Sequence, residues 1–336
     1  IQLVFYLLFA SVPMLAKKIL LAIFLSACVL TVSWYVRNQT VKNIVSGVIS
    51  DPSSVLNSYE GNTNILLLGI GGAGHEGSDL TDSMLVLSLN LKNNTGTTIS
   101  IPRDIWVPSL KAKINTAYHY GNERRDGGGR DLAKSAVSEV LGVPIHYLLL
   151  VDFSGFVKAI DSVGGIDLTI DNTFDDYKYP IPGKETVEPE SDRYEHIHFE
   201  AGRTHLDGAT ALKFARSRYA QGEEGTDFAR GQRQQKIILA FRDKLFSAGT
   251  LFNTEIIERL KSNLSSSIDT DITSVEQGSF IKLALSLGNQ DNISSIVLTD
   301  HLKNPKSTRE YGGQWVLIPT TTQEDLHTYV KANLAK

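Results

Sequence analysis

Short apolar runs alternate with segments of helical periodicity along most of the chain. Residues 64–69, 84–91 and 97–101 are each bounded by residues that favour turns, and such runs are typical of buried strands. The polar segment 92–96 predicts a hairpin between the last two of these strands. Further strands are predicted at residues 145–151, 166–170, 293–298 and 314–318.

Apolar residues spaced three and four apart predict helices in the segments between these strands. In residues 131–141, for example, Ala133, Val137 and Val140 share one face, and Gly142 marks the end of the helix. Strands that alternate with helices, together with the hairpin, predict an α/β fold with a mixed central β-sheet flanked by helices. The other helices are predicted at residues 154–162, 208–214, 227–246, 254–264 and 273–287.

Residues 171–200 differ from the rest of the chain. They are rich in Tyr, Pro, Asp and Glu and have no lasting periodicity. We therefore expect a long excursion over the surface, of the kind that often carries function.

The longest apolar run is close to the amino end, where residues 19–36 contain no charged side chain. A run of this length predicts a transmembrane helix, and Trp34 and Tyr35 suit a membrane interface. Lys17 and Lys18 precede the run and favour a cytoplasmic amino end, although Arg37 makes the other flank basic as well. A cleaved signal peptide is the alternative, but the run is long for one and no clear cleavage site follows it.

The predicted anchor divides the chain into four parts. Residues 1–16 form an apolar extension, residues 17–37 the transmembrane anchor, residues 38–61 a juxtamembrane stalk or short helix, and residues 62–336 an extracytoplasmic domain. Met14 is followed by Leu, Ala and two lysines, which is typical of a translation start, so the preferred interpretation is that residues 1–13 are not translated. A second membrane span is the other interpretation of that extension.

Composition narrows the classes of function. The chain of 336 residues is 42% hydrophobic and 21% charged, as in ordinary globular proteins, and its net charge of −4 argues against a protein that coats nucleic acid. Any basic site must therefore be local. The one cysteine, Cys28, lies inside the predicted anchor, which excludes an intramolecular disulfide, cysteine catalysis and a cysteine-based zinc site in the outer domain.

A glycine motif at residues 69–74 satisfies G-x-G-x-x-G after a predicted strand. In a dinucleotide-binding fold this turn opens a helix, whereas here the chain continues towards another predicted strand. We therefore reject nucleotide binding and retain a flexible loop that can approach a ligand.

Basic side chains are concentrated in residues 203–244, which hold nine Lys and Arg against five Asp and Glu. In the helix predicted from Asp227, Arg230 and Gln234 continue the face of Ile238, because residues three and four apart share a face. A structural pair of Arg230 with Asp227 is the simplest explanation of such an arginine. The nearby Arg216, Arg218 and Arg233 instead favour an external anion, since planar guanidinium groups suit bidentate phosphate binding.

A carboxylate and an arginine occur at the two ends of the predicted hairpin. Asp82 begins its first strand, and Arg103 with Asp104 follows its second, so Asp82 and Arg103 are expected to be neighbours. A carboxylate beside phosphate-binding arginines predicts an Mg²⁺ site, because Mg²⁺ prefers one or two carboxylates plus phosphate oxygens. The alternative for Asp82 is a cap at the start of a strand.

A series of short motifs follows the predicted anchor: NILLLG at 64–69, TDSM at 81–84, SIPRD at 100–104, KIN at 113–115, VDF at 151–153, VGGID at 163–167, LDG at 206–208, AL at 211–212, ARSR at 215–218 and DFARGQRQ at 227–234. In order and spacing these motifs resemble the LytR-CpsA-Psr family over essentially the whole chain after the anchor.

This resemblance implies a phosphotransferase that moves a polyprenyl-pyrophosphate-linked glycopolymer onto peptidoglycan and releases polyprenyl phosphate. It implies that Asp82 holds Mg²⁺ and that phosphates are gripped by Arg103, Arg216, Arg218, Arg230 and Arg233, with Gln234 beside them. Asp104, Asp152 and Asp227 become candidates to orient an arginine or to accept the proton of the attacking sugar hydroxyl. Phosphoryl transfer depends mainly on positioning and charge neutralisation, so an arginine-rich site fits this chemistry.

The chain departs from the family pattern at two positions. Gly71 stands where the family commonly has a second metal-binding Asp, and Leu80 stands where an Arg often precedes the Asp82 motif. Asp79, His75 and Glu76 are the candidates for the second metal ligand, and the sequence leaves open whether any of them replaces it. A polyprenyl-pyrophosphate hydrolase and a non-catalytic envelope protein that binds lipid or glycan are the alternative functions.

Overall fold

The structure is a computed structural model that describes residues 38–72, 77–184, 186–251, 253–287 and 292–334. The predicted anchor at residues 17–37 and the extension before it lie outside the described residues. Within the described ranges, no helix combines the length and the apolar character needed to cross a membrane.

Fourteen strands and eleven α-helices are present in these ranges. The strands are β1 Asn62–Ile70, β2 Thr81–Asn90, β3 Thr95–Ser100, β4 Trp106–Val107, β5 Ala112–Lys113, β6 Tyr147–Asp152, β7 Ile166–Ile170, β8 Phe174–Pro180, β9 Tyr194–Phe199, β10 Gly202–Leu206, β11 Ile268–Thr270, β12 Ile293–Val297, β13 Leu302–Lys303 and β14 Ile318–Pro319. The helices are α1 Gln39–Ile49, α2 Pro52–Val55, α3 Ala117–Arg124, α4 Gly128–Leu141, α5 Phe153–Ser162, α6 Gly208–Arg216, α7 Asp227–Leu245, α8 Ala248–Leu251, α9 Thr254–Leu264, α10 Ser274–Ser286 and α11 Gln323–Leu334.

The chain divides into two compact units, and the smaller one comprises residues 1–55 with Thr273–Lys282. Its described part contains α1, α2 and the first part of α10. Gly47 of α1 approaches the backbone of α10 so closely that a Cβ atom there would lie 1.9 Å from the carbonyl oxygen of Val275. Most of the segment predicted to be a stalk is therefore helical and packed.

The larger unit, residues 56–272 with 283–336, is built on a six-stranded sheet in the order β11-β6-β1-β2-β3-β12. The β6–β1 and β3–β12 pairs are parallel, and the other three pairs are antiparallel. The sheet is therefore mixed, as predicted, and it contains the predicted hairpin of β2 and β3. Register Leu85↔Ser100 brings the start of β2 beside the residues that follow β3.

Both faces of the central strands are covered, which explains why their sequences are continuously apolar. Leu66 and Val86 on one face are fully buried in a core that includes Val137 of α4. Leu67 and Leu85 point to the opposite face, towards α5, α6 and α7. The fold is therefore the predicted α/β arrangement of a mixed sheet flanked by helices.

The segment predicted to be a surface excursion instead contains the hairpin of β8 and β9. Phe174 and Tyr179 of β8 and Phe199 of β9 are buried in a second core with Phe214 of α6. The alternation of inward and outward side chains along β8 is interrupted, because the strand register shifts between Asp176 and Tyr179. That irregularity hides the strand from a search for alternating residues.

Candidate active site

A polar cavity of about 380 Å³ lies where the start of β2, the residues after β3, the β8–β9 hairpin, α6 and α7 meet. Its described lining residues are Gly71, Gly77, Leu80, Asp82, Ser83, Met84, Ser100, Ile101, Arg103, Asn115, Lys178, Pro180, Tyr194, Ala215, Arg216, Arg218, Tyr219, Arg230 and Gln234. This set includes five cationic side chains, whereas Asp82 supplies the one carboxylate among the described lining residues. The cavity therefore has a strong excess of positive charge and suits an anion.

Asp82 and Arg103 are neighbours, as the predicted hairpin requires. Arg103 Nη1 lies 2.7 Å from Asp82 Oδ1, and both side chains are about one-third exposed. Arg216 Nη2 lies 3.9 Å from the other carboxylate oxygen, and Arg218 Nη2 donates to the backbone oxygen of Asp82 at 3.4 Å. Three of the predicted arginines therefore converge on Asp82.

Arg216 is held by aromatic rings as well as by charge. Its Cζ atom lies 4.0 Å from the centroid of the Phe153 ring and 5.8 Å from that of Tyr179. Burial raises the pKa of the Tyr179 hydroxyl, while the neighbouring Arg216 acts in the opposite direction. The guanidinium plane is thus fixed at the cavity wall with its side chain only 18% exposed.

The loop after α6 owes its shape to Asp176, a residue that the sequence did not single out. Asp176 is fully buried, and its Oδ2 accepts hydrogen bonds from Ser217 Oγ at 2.7 Å and from the amides of Arg218 and Tyr219, each at 3.1 Å. Its other oxygen accepts from the Lys178 amide. Asp176 therefore ties the hairpin to the loop that presents Arg216 and Arg218.

Arg230 and Gln234 line the cavity from α7, in agreement with their predicted common face. Gln234 also donates a weak hydrogen bond to the backbone oxygen of Ala215 at 3.5 Å. Asp227 begins this helix, as predicted, but its side chain lies outside the described part of the structure.

Arg233 is placed differently from the other predicted phosphate-binding arginines. Its guanidinium is 4% exposed and donates to the backbone oxygens of Phe214, Ser217 and Glu224, and to the Glu224 carboxylate at 2.8 Å. Burial lowers the pKa of Arg233, and the Glu224 carboxylate opposes this effect. Arg233 is not among the described cavity-lining residues, and its donors are directed to backbone oxygens and to Glu224, so its contact with phosphate stays a prediction.

The predicted acidic partners are also dispersed. Asp79 is hydrogen-bonded to His119 Nδ1 at 2.6 Å, a contact that raises the pKa of His119. Asp104 binds Lys113 Nζ at 2.7 Å and lies 3.7 Å from Arg103 Nε. Asp152 caps α5 by accepting from the amide of Gly155.

No cluster of three or more metal-ligating side chains occurs in the described ranges, which omit His75 and Glu76. Asp79 is directed to His119, so Asp82 remains as the described carboxylate at the cavity. Beside the glycine-rich loop, Gly72 has a φ of +77°, and a Cβ there would lie 3.0 Å from Asp152 Cβ. After Gly77 the chain turns and enters β2. The glycine motif is thus followed by a strand and not by the helix of a dinucleotide-binding site, as predicted.

A second, apolar cavity of about 200 Å³ adjoins the polar one. The two share Ser83, Ala215, Arg216 and Gln234. The remaining walls come from the outer face of the sheet and from α5, α6 and α7, namely Leu67, Leu68, Gly69, Leu85, Leu149, Val151, Phe153, Phe156, Leu212, Ile237 and Ile238. Phe153 separates the two environments, since it lines the apolar cavity and stacks on Arg216.

The cation-rich cavity agrees with the arginine-rich site that the sequence resemblance implied, and the adjoining apolar cavity is a further finding of the structure. The model of the LytR_cpsA_psr family matches residues 31–329, which is most of the chain. The protein belongs to the LytR_cpsA_psr family.

Family relatives include polyisoprenyl-teichoic acid–peptidoglycan teichoic acid transferases of two bacteria. The TagU protein of Bacillus cereus is 34% identical over 211 residues, which are 60% of this chain and 60% of TagU. The TagV protein of Bacillus subtilis is 34% identical over 220 residues, which are 63% of this chain and 50% of TagV. The alignments thus span only about half to three-fifths of these relatives.

The fold is similar to a solved structure of the family. The crystal structure of B. subtilis TagV superposes with a TM-score of 0.55 and 28% sequence identity, covering 83% of this chain and 99% of that one.

Proposed function

We propose that the protein transfers a glycopolymer from a polyprenyl-pyrophosphate carrier to peptidoglycan, forming a phosphodiester and releasing polyprenyl phosphate. The observation that carries this proposal is the junction of the two cavities at Arg216 and Gln234. A ligand with an anionic head and a long apolar tail fits such a junction, because each part meets its complementary surface. The TagU and TagV relatives are polyisoprenyl-teichoic acid–peptidoglycan teichoic acid transferases, which supports the same class of substrates.

The pyrophosphate would occupy the polar cavity. Arg103, Arg216, Arg218 and Arg230 converge there, and their planar guanidinium groups can each bind two phosphate oxygens. The polyprenyl chain would enter the apolar cavity, where burial stabilises binding by about 0.8 kcal/mol per CH₂ group. Phe153 would contact both parts of the substrate.

Transfer then requires a sugar hydroxyl of the acceptor to attack the phosphorus that carries the glycopolymer. The new P–O bond forms as the bond to the bridging oxygen breaks, the electron pair leaves with polyprenyl phosphate, and the hydroxyl proton is lost to solvent. Fixed cations stabilise the charge that develops on the equatorial and leaving oxygens. Arg216 would be one of these cations, and both Phe153 and Asp82 restrict its position.

Mg²⁺ remains part of this proposal. Asp82 would be its protein ligand, because Mg²⁺ is often bound by one or two carboxylates together with substrate phosphates and water. When bound, the ion would supply additional neutralisation of the pyrophosphate. Arg103 already pairs with Oδ1 of Asp82, so the arginine and the ion would share this carboxylate.

We further propose that residues 17–37 anchor the protein in the cell membrane, with the catalytic domain on the extracytoplasmic side. This segment lies outside the described residues, and the proposal rests on its apolar sequence and its flanking lysines. Such an anchor would keep the protein at the membrane that holds the lipid carrier.

A direct test is to identify the lipid that the detergent-purified full-length protein retains, by mass spectrometry. We expect a polyprenyl phosphate or pyrophosphate, with retention lost on Arg216→Ala and kept on Arg203→Ala. Arg203 is an exposed arginine of β10 and does not line either cavity. Equal lipid retention by both variants would argue against the proposed site.

A further inference from the structure

A group of aromatic and charged side chains lies next to the polar cavity but outside its lining. It consists of Asp104, Trp106, Lys113, Tyr311 and Trp315, and we call it the aromatic ledge. The chain has three tryptophans, of which Trp34 lies in the predicted anchor and the other two are on this ledge. The indole of Trp315 is 55% exposed, unusual for so large an apolar surface.

The local fold holds the ledge rigidly. Ile105 and Val107 point inward and are 1% and 0% exposed, so Asp104 and Trp106 face outward on alternate positions of the same segment. Leu317 donates from its amide to the Asp104 oxygen and accepts from the Trp106 amide, both at 2.9 Å. These bonds bring the segment that carries Trp315 against the one that follows Arg103.

The ring contacts complete the surface. Trp106 and Tyr311 meet edge to face with their centroids 5.2 Å apart. Trp106 pairs with Lys113 across β4 and β5, and Lys113 Nζ lies 5.9 Å from the centroid of the Trp315 ring. One lysine and one aspartate therefore stand between two aromatic groups.

The ledge is connected to the candidate active site by successive charge contacts. Asp82 binds Arg103 at 2.7 Å, Arg103 lies 3.7 Å from Asp104, and Asp104 binds Lys113 at 2.7 Å. Arg103 lines the polar cavity but does not line the apolar cavity. Ile105 and Val107, which alternate with the ledge residues, pack in the core on the sheet face opposite to the apolar cavity, so the ledge lies away from that cavity.

The chemistry of the ledge matches a sugar chain. Exposed aromatic rings stack on the C–H faces of pyranose rings, while adjacent carboxylate and ammonium groups bind hydroxyl and amide groups. Asp104 and Lys113 balance each other's charge, in contrast to the five cations of the polar cavity. A saccharide of low charge fits this surface better than a phosphate-rich chain does.

The geometry points to the acceptor as that saccharide. In phosphoryl transfer the attacking and leaving oxygens are roughly in line on opposite faces of the phosphorus. The proposed leaving group, polyprenyl phosphate, would extend into the apolar cavity, so the acceptor hydroxyl must approach from the opposite side, where Arg103 leads to the ledge. We propose that the aromatic ledge binds the glycan strand of peptidoglycan and directs its hydroxyl towards the pyrophosphate. This inference rests on the proposed transferase function.

The test compares Trp315→Ala with wild-type full-length protein, using soluble glycan strands released from peptidoglycan. We expect Trp315→Ala to raise the KM for these strands by roughly two- to tenfold, the range set by one aromatic contact. The KM for the lipid-linked donor should stay unchanged, and Trp315→Phe should restore most of the loss. Tyr59→Ala removes a similarly exposed aromatic ring elsewhere and serves as the control.

Three outcomes would overturn the inference. The first is an unchanged KM for the strands in Trp315→Ala. The second is a rise in the KM for the donor instead, which would assign the ledge to the glycopolymer. The third is an equal effect of Tyr59→Ala. Direct binding of the strands, measured by calorimetry without donor, separates this inference from the proposed reaction. Strand binding that depends on Trp315 without any transfer would contradict the proposed function alone, whereas transfer with ledge-independent binding would contradict the ledge alone.

Discussion

Arg216 and Arg233 belong to the same arginine-rich segment but are enclosed by different groups. Arg216 stacks on Phe153 and reaches Asp82 at the cavity, whereas Arg233 is surrounded by backbone oxygens and Glu224. The same charge therefore lies in two different environments, one at the wall of the polar cavity and one buried inside the fold. Substitutions at the two positions should separate the effects of these environments.

Arg216→Lys should lower kcat/KM for the lipid-linked donor by roughly tenfold or more, because lysine keeps the charge but loses the planar stacking and the bidentate geometry. Steady-state kinetics would measure the change, and the midpoint of thermal unfolding should stay close to that of wild type. The exposed Arg203→Lys is the matched control. Full activity in Arg216→Lys would show that charge alone suffices.

Arg233→Met should instead destabilise the fold by about 3–5 kcal/mol, since it leaves the carboxylate of Glu224 without its buried partner. Urea unfolding followed by circular dichroism would measure the loss. Arg203→Met should change the free energy of unfolding by less than about 0.5 kcal/mol, as surface substitutions usually do. A stable Arg233→Met protein that no longer binds pyrophosphate would support the sequence-based prediction for Arg233.

The pKa of His119 provides a test of whether the Asp79 carboxylate is hydrogen-bonded to His119. The hydrogen bond with Asp79 raises the pKa of His119 in the folded state, so its stabilising effect is present at low pH and disappears as pH rises through that pKa. Asp79→Asn should lower the pKa of His119 towards its ordinary value, as measured by NMR titration. Glu123→Gln, which removes a longer 3.4 Å contact, should lower it less. An unshifted pKa in Asp79→Asn would mean that Asp79 is available for another role.

At the scale of elements, the β8–β9 hairpin determines how α6 ends. Asp176 binds the loop that carries Arg216 and Arg218, and Lys178 and Tyr194 of the same hairpin line the cavity. Asp175, the preceding residue, faces the other way and binds His196 and His198. The two aspartates form a natural pair of test and control.

Asp176→Asn should weaken pyrophosphate binding by roughly tenfold, because the amide cannot accept all the hydrogen bonds that the carboxylate accepts, and each lost bond costs about 1–3 kcal/mol. Asp175→Asn should leave binding unchanged. Fluorescence or calorimetric titration with inorganic pyrophosphate would measure both, with thermal unfolding recorded alongside. Equal affinities in the two variants would remove Asp176 from the positioning of the loop.

Local patterns predicted the central elements well, and they failed where distant parts of the chain decide the outcome. The face shared by Arg230 and Gln234 follows from helix spacing, and the proximity of Asp82 and Arg103 follows from the hairpin. The buried position of Arg233 depends on Glu224 and on the end of α6, which no pattern within α7 reveals. The role of Asp176 is equally non-local, since its partners lie about forty residues further along the chain.

At the scale of the larger unit, the sheet separates a packed core from a surface with an open apolar cavity. Successive residues of β1, β2 and β6 face opposite sides of the sheet. One side packs against α4 in the core, and the other side borders the apolar cavity beside α5, α6 and α7. The continuous apolar sequence of β1 predicted a buried strand, but it could not show that one face borders a cavity. The function proposed for the protein depends on that second face.

Ile238→Trp should fill part of the apolar cavity and weaken transfer from a long-chain polyprenyl donor by roughly tenfold, because chain atoms lose their buried site. A short-chain pyrophosphate donor should be affected much less, since its head binds in the polar cavity. Ile257→Trp, at an exposed position of α9, is the control. An equal loss with both donors would indicate that the apolar cavity does not receive the chain.

The central claim is that the protein joins a glycopolymer to a peptidoglycan hydroxyl at the junction of the two cavities. Its most direct test is reconstitution of the full-length protein in vesicles with a polyprenyl-pyrophosphate-linked glycan and peptidoglycan strands, followed by mass spectrometry of the products. We expect a phosphodiester-linked glycan on the strand and polyprenyl phosphate in the membrane, both lost in Arg216→Ala. Release of polyprenyl phosphate at the same rate without strands would indicate a hydrolase, and no turnover with any acceptor would contradict an enzymatic role.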